Sequence, residues 1–197
     1  MGEARTRLSV DERRDQLLEL GLDLFIHHTY DELSIDEIAR RAGISKGLLY
    51  HYFPGKRAFY VATVERAAEQ LLAETDIPVA PGDDDSVKLR IAIDRYLGFV
   101  EQRSAAYTFL LRGAMATDPD VAAIVERTRR RFLDRMLQAL QMSDDNARLR
   151  VTLRGVIGFV EAASVDWAER RDLSREELTE LLVQVCVSSV TRALASS

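Results

Sequence analysis

The 197-residue chain has one cysteine, three histidines, three lysines and four prolines. The single thiol, Cys186, excludes a disulfide framework and a zinc site built on several thiolates. The residues three before His27, His28 and His51 are Leu24, Phe25 and Leu48, so the Glu-x-x-His pairs of a helical di-iron enzyme are absent. No phosphate-cradling glycine loop occurs, and neither enzymatic activity nor a metal or cofactor is expected. Apolar runs are short. The longest, at 155–165, is interrupted by Glu161 and falls below the roughly 18 residues of a membrane-crossing helix, so no membrane partner is expected. The opening residues MGEARTRLS are charged rather than apolar, and a cytoplasmic protein is expected. No alternating β-branched run and no Asn-Gly pair signals a hairpin.

What the chain does have is apolar side chains at 47%, enough for a substantial core, and an uneven charge. Its 27 basic and 32 acidic residues give a net charge of −5, which argues against a polycationic coat protein. Residues 38–64, however, contain Arg40, Arg41, Lys46, Lys56 and Arg57 and no Asp or Glu. The rest of the chain holds the other 22 basic and all 32 acidic residues, a net −10. An acidic chain with one concentrated basic segment is suited to local contact with a polyanion.

Helix signals dominate. Ser9-x-x-Glu12, Ser34-x-x-Glu37 and Ser174-x-x-Glu177 read as capping boxes, and Asp118-Pro119 as an N-cap followed by proline in the first turn. The spacing predicts an all-α protein with helices at 10–28, 35–42, 46–52, 55–74, 87–103, 105–116, 119–141, 146–170 and 175–194. The first buries Leu17, Gly21, Leu24 and Phe25. Residues 76–85, with two prolines, a glycine and three consecutive aspartates, read as a loop.

Residues 34–53, SIDEIARRAGISKGLLYHYF, have the layout of a helix-turn-helix. The first helix turns Ile35, Ile38, Ala39 and Ala42 inward, Gly43 ends it in a left-handed conformation, Ile44 plugs the core, and Ser45 caps the second helix. At about 100° per residue, Lys46, Gly47, Tyr50 and His51 share the outer side, with Leu49, Tyr52 and Phe53 opposite and Leu48 on the flank. That outer side suits a DNA major groove. Lys46 donates to guanine, Gly47 lets the backbone approach, Tyr50 and His51 donate to phosphates or base edges, and Leu48 packs on a thymine methyl. Lys56 is a further phosphate candidate.

The run Ala42-Gly43-Ile44-Ser45-Lys46-Gly47, followed by Leu49-Tyr50-His51-Tyr52-Phe53 and Gly55-Lys56-Arg57, resembles the DNA-binding domain of the TetR family of bacterial transcriptional regulators. The resemblance spans about residues 10–65. It implies an N-terminal three-helix DNA-binding domain at 10–65 behind an arm at 1–9, then a larger helical bundle at 66–197 for ligand binding and dimerisation. It also implies that Ser34, Lys46, Gly47, Tyr50, His51, Tyr52 and Lys56 lie at or near DNA. Leu48 departs from the small or hydroxylated residue common in the family at this position. Arg5 and Arg7 are candidates for an arm that reaches DNA.

One short helix offers too few base contacts for a genomic address, so a two-fold dimer on a palindromic operator is expected. The interface candidates are Gly155, Gly158 and Ala162 on one helix, with Leu182, Val183, Cys186, Val187 and Val190 on the last, whose apolar coverage is too wide for one neighbour. Middle-helix aromatic and soft side chains are packing candidates that the resemblance also makes lining candidates for an apolar ligand pocket. They are Tyr96, Phe99, Tyr107 and Phe109, then Met115, Phe132 and Met136, then Phe159 and Trp167. The reading that follows is a homodimeric, ligand-released repressor bound to double-stranded operator DNA. The alternative is a helical protein-interaction module, antirepressor-like, with weak or no specific DNA binding.

Overall fold

The structure, a computed structural model, describes residues 9–77, 84–112 and 118–195, without the side chains of Ala105, Phe109, Leu110 and Arg112. The described residues form α1 (Val10–His27), α2 (Ile35–Arg41), α3 (Lys46–Tyr52), α4 (Lys56–Glu74) and α5 (Asp85–Gln102). They continue with α6 (Ser104–Arg112), α7 (Pro119–Ala139), α8 (Ala147–Arg170) and α9 (Arg175–Ala195), and no strand occurs among them. The fold is the expected all-α one. The arm with Arg5 and Arg7 lies outside the described residues.

Helix ends follow the capping signals with two differences. Ser9 and Glu12 form a full capping box, as do Ser174 and Glu177. Ser34 accepts from the Glu37 N–H at 3.1 Å, but the return bond is missing because Arg40 and Arg41 hold the Glu37 carboxylate. The second difference is at α5, which starts two residues early. Asp84 caps it, accepting from the Ser86 N–H at 2.8 Å, and Asp85 enters the first turn, where the helix dipole favours an acidic group.

The chain divides into two units, Met1–Ala67 and Ala68–Ser197, with the division inside α4. In the first unit Leu17, Leu24 and Phe25 of α1, Ile38 and Ala39 of α2 and Leu49 of α3 are buried with Phe59, Tyr60 and Val64 of α4. Phe59 stands at the centre, with ring centroids 5.1 Å from Phe53 and 6.2 Å from Phe25. α1 and α4 approach closely at Gly21, where a Cβ would lie 2.4 Å from Thr63 Oγ1 and 2.9 Å from the Phe59 ring. The Thr63 hydroxyl is held by the Phe59 carbonyl at 2.9 Å, so the neighbour that must yield is fixed. Gly21→Ala is therefore expected to destabilise this unit by about 1–3 kcal/mol through overpacking, read as a lower Tm in thermal unfolding.

In the second unit α9 packs along α5 and α8, and α8 also contacts α6 and α7. Leu133 and Leu137 of α7, Leu149, Leu153 and Ile157 of α8 and Ala193 of α9 form one core cluster. Arg175 ties α9 to α5 through Asp94 at 2.9 Å and Glu101 at 3.2 Å. Arg135 of α7 donates to the Leu72 carbonyl at 2.7 Å, satisfying an end group of α4 that has no partner within the helix.

Candidate nucleic-acid interface

The turn between α2 and α3 is built by its backbone. Gly43 has φ +63°, its N–H bonds the Arg40 carbonyl at 3.2 Å, and the Ile44 N–H bonds the Ala39 carbonyl at 3.1 Å. These are the two bonds of a Schellman motif, and they set the direction of α3. Ser45 then caps α3, accepting from the Leu48 N–H at 3.1 Å. Gly43-Ile44-Ser45-Lys46-Gly47 has the G-x-S-x-G spelling of a hydrolase nucleophile turn, but that chemistry needs a strand-to-helix turn, and here two helices meet.

α3 is anchored from below by Leu49 and Phe53, which are 0% and 2% exposed. The Arg14 guanidinium lies 5.3 Å from the Phe53 ring centroid. Lys46, Gly47, Leu48, Tyr50 and His51 are exposed together, and Tyr52 is half-buried with its ring 5.4 Å from His51. Ile44 is half-buried rather than a full plug.

The positive charges of this face are largely engaged. Glu37 receives Arg40 at 2.7 and 2.8 Å and Arg41 at 2.6 Å, and these bonds pull its carboxyl down to about 2. Lys46 donates to Asp36 at 2.9 Å. Lys56 donates to the Tyr30 carbonyl at 3.0 Å and lies 4.1 Å from the Tyr30 ring centroid, so it fastens α4 to the segment before α2. Arg41 also lies 3.3 Å from His28 Nε2, which must accept, because a guanidinium only donates. With Asp36 and Glu37 counted, the five cations of residues 34–57 face two carboxylates, a net +3.

The second unit separates the remaining candidates. Gly155, Gly158 and Ala162 are exposed on one side of α8, beside exposed Val151 and Phe159. On α9, Leu182, Val183 and Cys186 are buried in their own unit, which corrects their placement at an interface. Val190 packs against the core cluster, while Leu181, Val187 and Leu194 are exposed. The breadth of α9's apolar surface was visible in the sequence, but not which arc α5 and α8 would take. By length and composition α9 is also apolar enough to cross a membrane. Burial pushes the Cys186 thiol up to about 11. The folded protein is therefore expected to leave Cys186 unmodified by a thiol reagent at neutral pH, with reaction only on denaturation.

Three of the pocket candidates come together. Tyr96 and Tyr107 share a hydroxyl–hydroxyl bond, and the Tyr96 ring lies 6.5 Å from Phe132. Burial raises both phenol pKa values. Beside them Glu161 takes two bonds from the Arg129 Nε at 3.0 Å and one from Nη2 at 2.7 Å. That arrangement was not legible in the spacing. Met136 packs on the core cluster, and Phe99 is buried with Arg103 at 4.1 Å from its ring centroid. Trp167 is committed elsewhere, its indole N–H donating to the Leu173 carbonyl at 2.8 Å and Arg171 lying 4.5 Å from its ring centroid. Phe159, at 42% exposed, faces outward and does not line an interior pocket. The Phe109 side chain and all of Met115 lie outside the described residues. Among the described residues no three His, Cys, Asp or Glu side chains converge to hold a metal.

A small helical unit presenting a capped, exposed second helix after a tight turn, followed by a larger helical unit, has the build of a helix-turn-helix transcriptional regulator. Residues 17–63 match the family model "Bacterial regulatory proteins, tetR family", and residues 86–189 match "Tetracyclin repressor-like, C-terminal domain". A tetR-family transcriptional regulator from Streptomyces coelicolor has a TM-score of 0.88 and 34% identity, covering 96% of this chain and 85% of that one. The transcriptional activator FasR of Mycolicibacterium smegmatis is 28% identical over 181 residues, 90% of this chain and 83% of the relative. The regulator FadR from Bacillus subtilis, solved in complex with stearoyl-CoA, shares the fold at a TM-score of 0.66 and 14% identity, over 89% of this chain and 98% of that one. The chain belongs to the TetR family and is a DNA-binding transcriptional regulator.

Proposed function

We propose that this regulator is a cytoplasmic homodimeric repressor that reads a palindromic operator with α3 and leaves it when a small apolar ligand binds the second unit. The observation that carries the DNA reading is the exposed row Lys46, Gly47, Tyr50 and His51 on a helix held from below by Leu49 and Phe53. In this reading Lys46, Leu48, Tyr50 and His51 meet base edges or phosphates, and Gly47 admits close approach. Ser34, Ser45 and Tyr52 set the two helices against the backbone, and Lys56 holds α4 in place through Tyr30. Residues 10–65 form the DNA-binding domain and 66–197 the dimer and ligand domain.

The uncovered apolar faces of α8 and α9 support a two-fold partner. Val151, Phe159, Leu181, Val187 and Leu194 are large apolar side chains left exposed, and Gly155, Gly158 and Ala162 between them allow helices to approach. The cluster of Tyr96, Tyr107 and Phe132, with Arg129 and Glu161 beside it, supports a ligand site with an apolar wall and a few polar groups. Ligand release is then a population shift between dimer states. DNA favours the state with its α3 helices about 34–36 Å apart, and ligand favours another.

Fluorescence anisotropy with labelled duplex tests this. Log affinity is expected to fall linearly with log salt, by about 0.9 for each phosphate neutralised. Long-chain acyl-CoA, the class held by the Bacillus subtilis neighbour, is the first ligand probe because its acyl chain is apolar, and it is expected to weaken DNA binding, with the free fatty acid tested beside it. A dimer that binds no duplex in low salt would sink the reading. Transcription from a promoter carrying the bound site gives the sign of regulation, with repression expected.

A further inference from the structure

Asp36 stands in the first turn of α2, and Lys46 is the first residue of α3. They are ten residues apart in the chain, and the Schellman turn at Gly43 brings their side chains to 2.9 Å. Both are open to solvent, with the Lys46 side chain 49% exposed and that of Asp36 67% exposed. The neighbouring carboxylate, Glu37, is already held by Arg40 and Arg41, which leaves Asp36 as the acidic group facing the ammonium. Tyr50 is close enough to Lys46 to interact with it electrostatically. A phosphate or base oxygen approaching Lys46 beside Tyr50 therefore meets an ammonium that already has an anion.

We propose that Asp36 is an internal competitor for DNA, a built-in counter-ion that holds Lys46 in the free protein and is displaced when α3 engages a duplex. The inference rests on the DNA-binding reading above and deepens it. The chemistry is an exchange of one anion for another on the same ammonium. Affinity for any duplex is lowered by the free energy of the ion pair. Exposed ion pairs of this kind shift an equilibrium by about two- to fivefold. The effect shrinks as salt screens the pair. Such a competitor limits binding where contacts are few, since weak contacts do not displace it.

A double-mutant cycle separates competition from simple repulsion between Asp36 and phosphate. Wild type, Asp36→Asn, Lys46→Ala and the double variant are titrated by anisotropy against a random-sequence duplex in low salt. Thermal melting confirms that each is folded, and Asp36→Gln replaces Asp36→Asn if the latter melts early. Asp36→Asn is expected to tighten binding about two- to fivefold for each α3 engaged, and to give no gain in the Lys46→Ala background. A gain that persists without Lys46, or no gain at all, overturns the proposal while leaving DNA binding intact. If neither wild type nor Asp36→Asn binds duplex, the DNA-binding reading fails and the proposal fails with it.

Discussion

Replacing Lys46 and Tyr50 together by alanine is expected to leave a folded protein that no longer holds its operator. Both side chains are exposed on α3 and neither supports the core, which rests on Leu49, Phe53 and Phe59 beneath them. Removing a side chain that bonds a base edge weakens affinity by about five- to hundredfold. Two residues in each of two half-sites multiply to a drop of roughly a thousandfold or more. Circular dichroism is expected to show unchanged helix content and a Tm within a few degrees of wild type. Operator binding within tenfold of wild type would remove α3 from the interface.

The second large effect concerns α8 and α9. Phe159→Glu combined with Leu181→Glu places carboxylates where two apolar, outward-facing side chains stand. In a two-fold interface every substitution appears twice. An unpaired charge buried on association costs about 3–5 kcal/mol, so the dimer is expected to dissociate at micromolar concentration. Sedimentation equilibrium is expected to report a monomer near the 22.2 kDa chain mass. Operator affinity falls with it, because a monomer reaches one half-site. The same pair of substitutions with an unchanged dimer would place the interface elsewhere.

Local signals account for what was legible in the sequence. Ser9, Asp118 and Ser174 act on residues within a turn of themselves, and they cap the helices they were expected to cap. Gly43 and Ser45 define the turn from positions inside it, and the exposed row Lys46, Gly47, Tyr50 and His51 follows from helical periodicity alone. What was not legible depends on partners distant in the chain. Leu182, Val183 and Cys186 share a helix with Leu181 and Val187, and only the packing of α9 on α5 and α8 decides which are covered. The family resemblance makes Phe159 a pocket candidate, yet with Val151, Gly155, Gly158 and Ala162 it forms one exposed face of α8. The charge of the basic segment is offset by groups near in the chain but outside it. Its acidic partners Asp36 and Glu37 lie just before it, and the bonds to Lys46, Arg40 and Arg41 exist only once α2 and α3 are folded.

In the proposed function α3 reads a palindrome by sequence. Selection of bound fragments from a random duplex pool tests it most directly, with the pool recovered over several rounds and sequenced. The expected result is an enriched inverted repeat with half-sites about one helical turn apart, lost when Lys46 and Tyr50 are replaced by alanine. A recovered pool with no enriched repeat, from a protein that is folded and dimeric, would contradict it and favour a module that binds proteins instead.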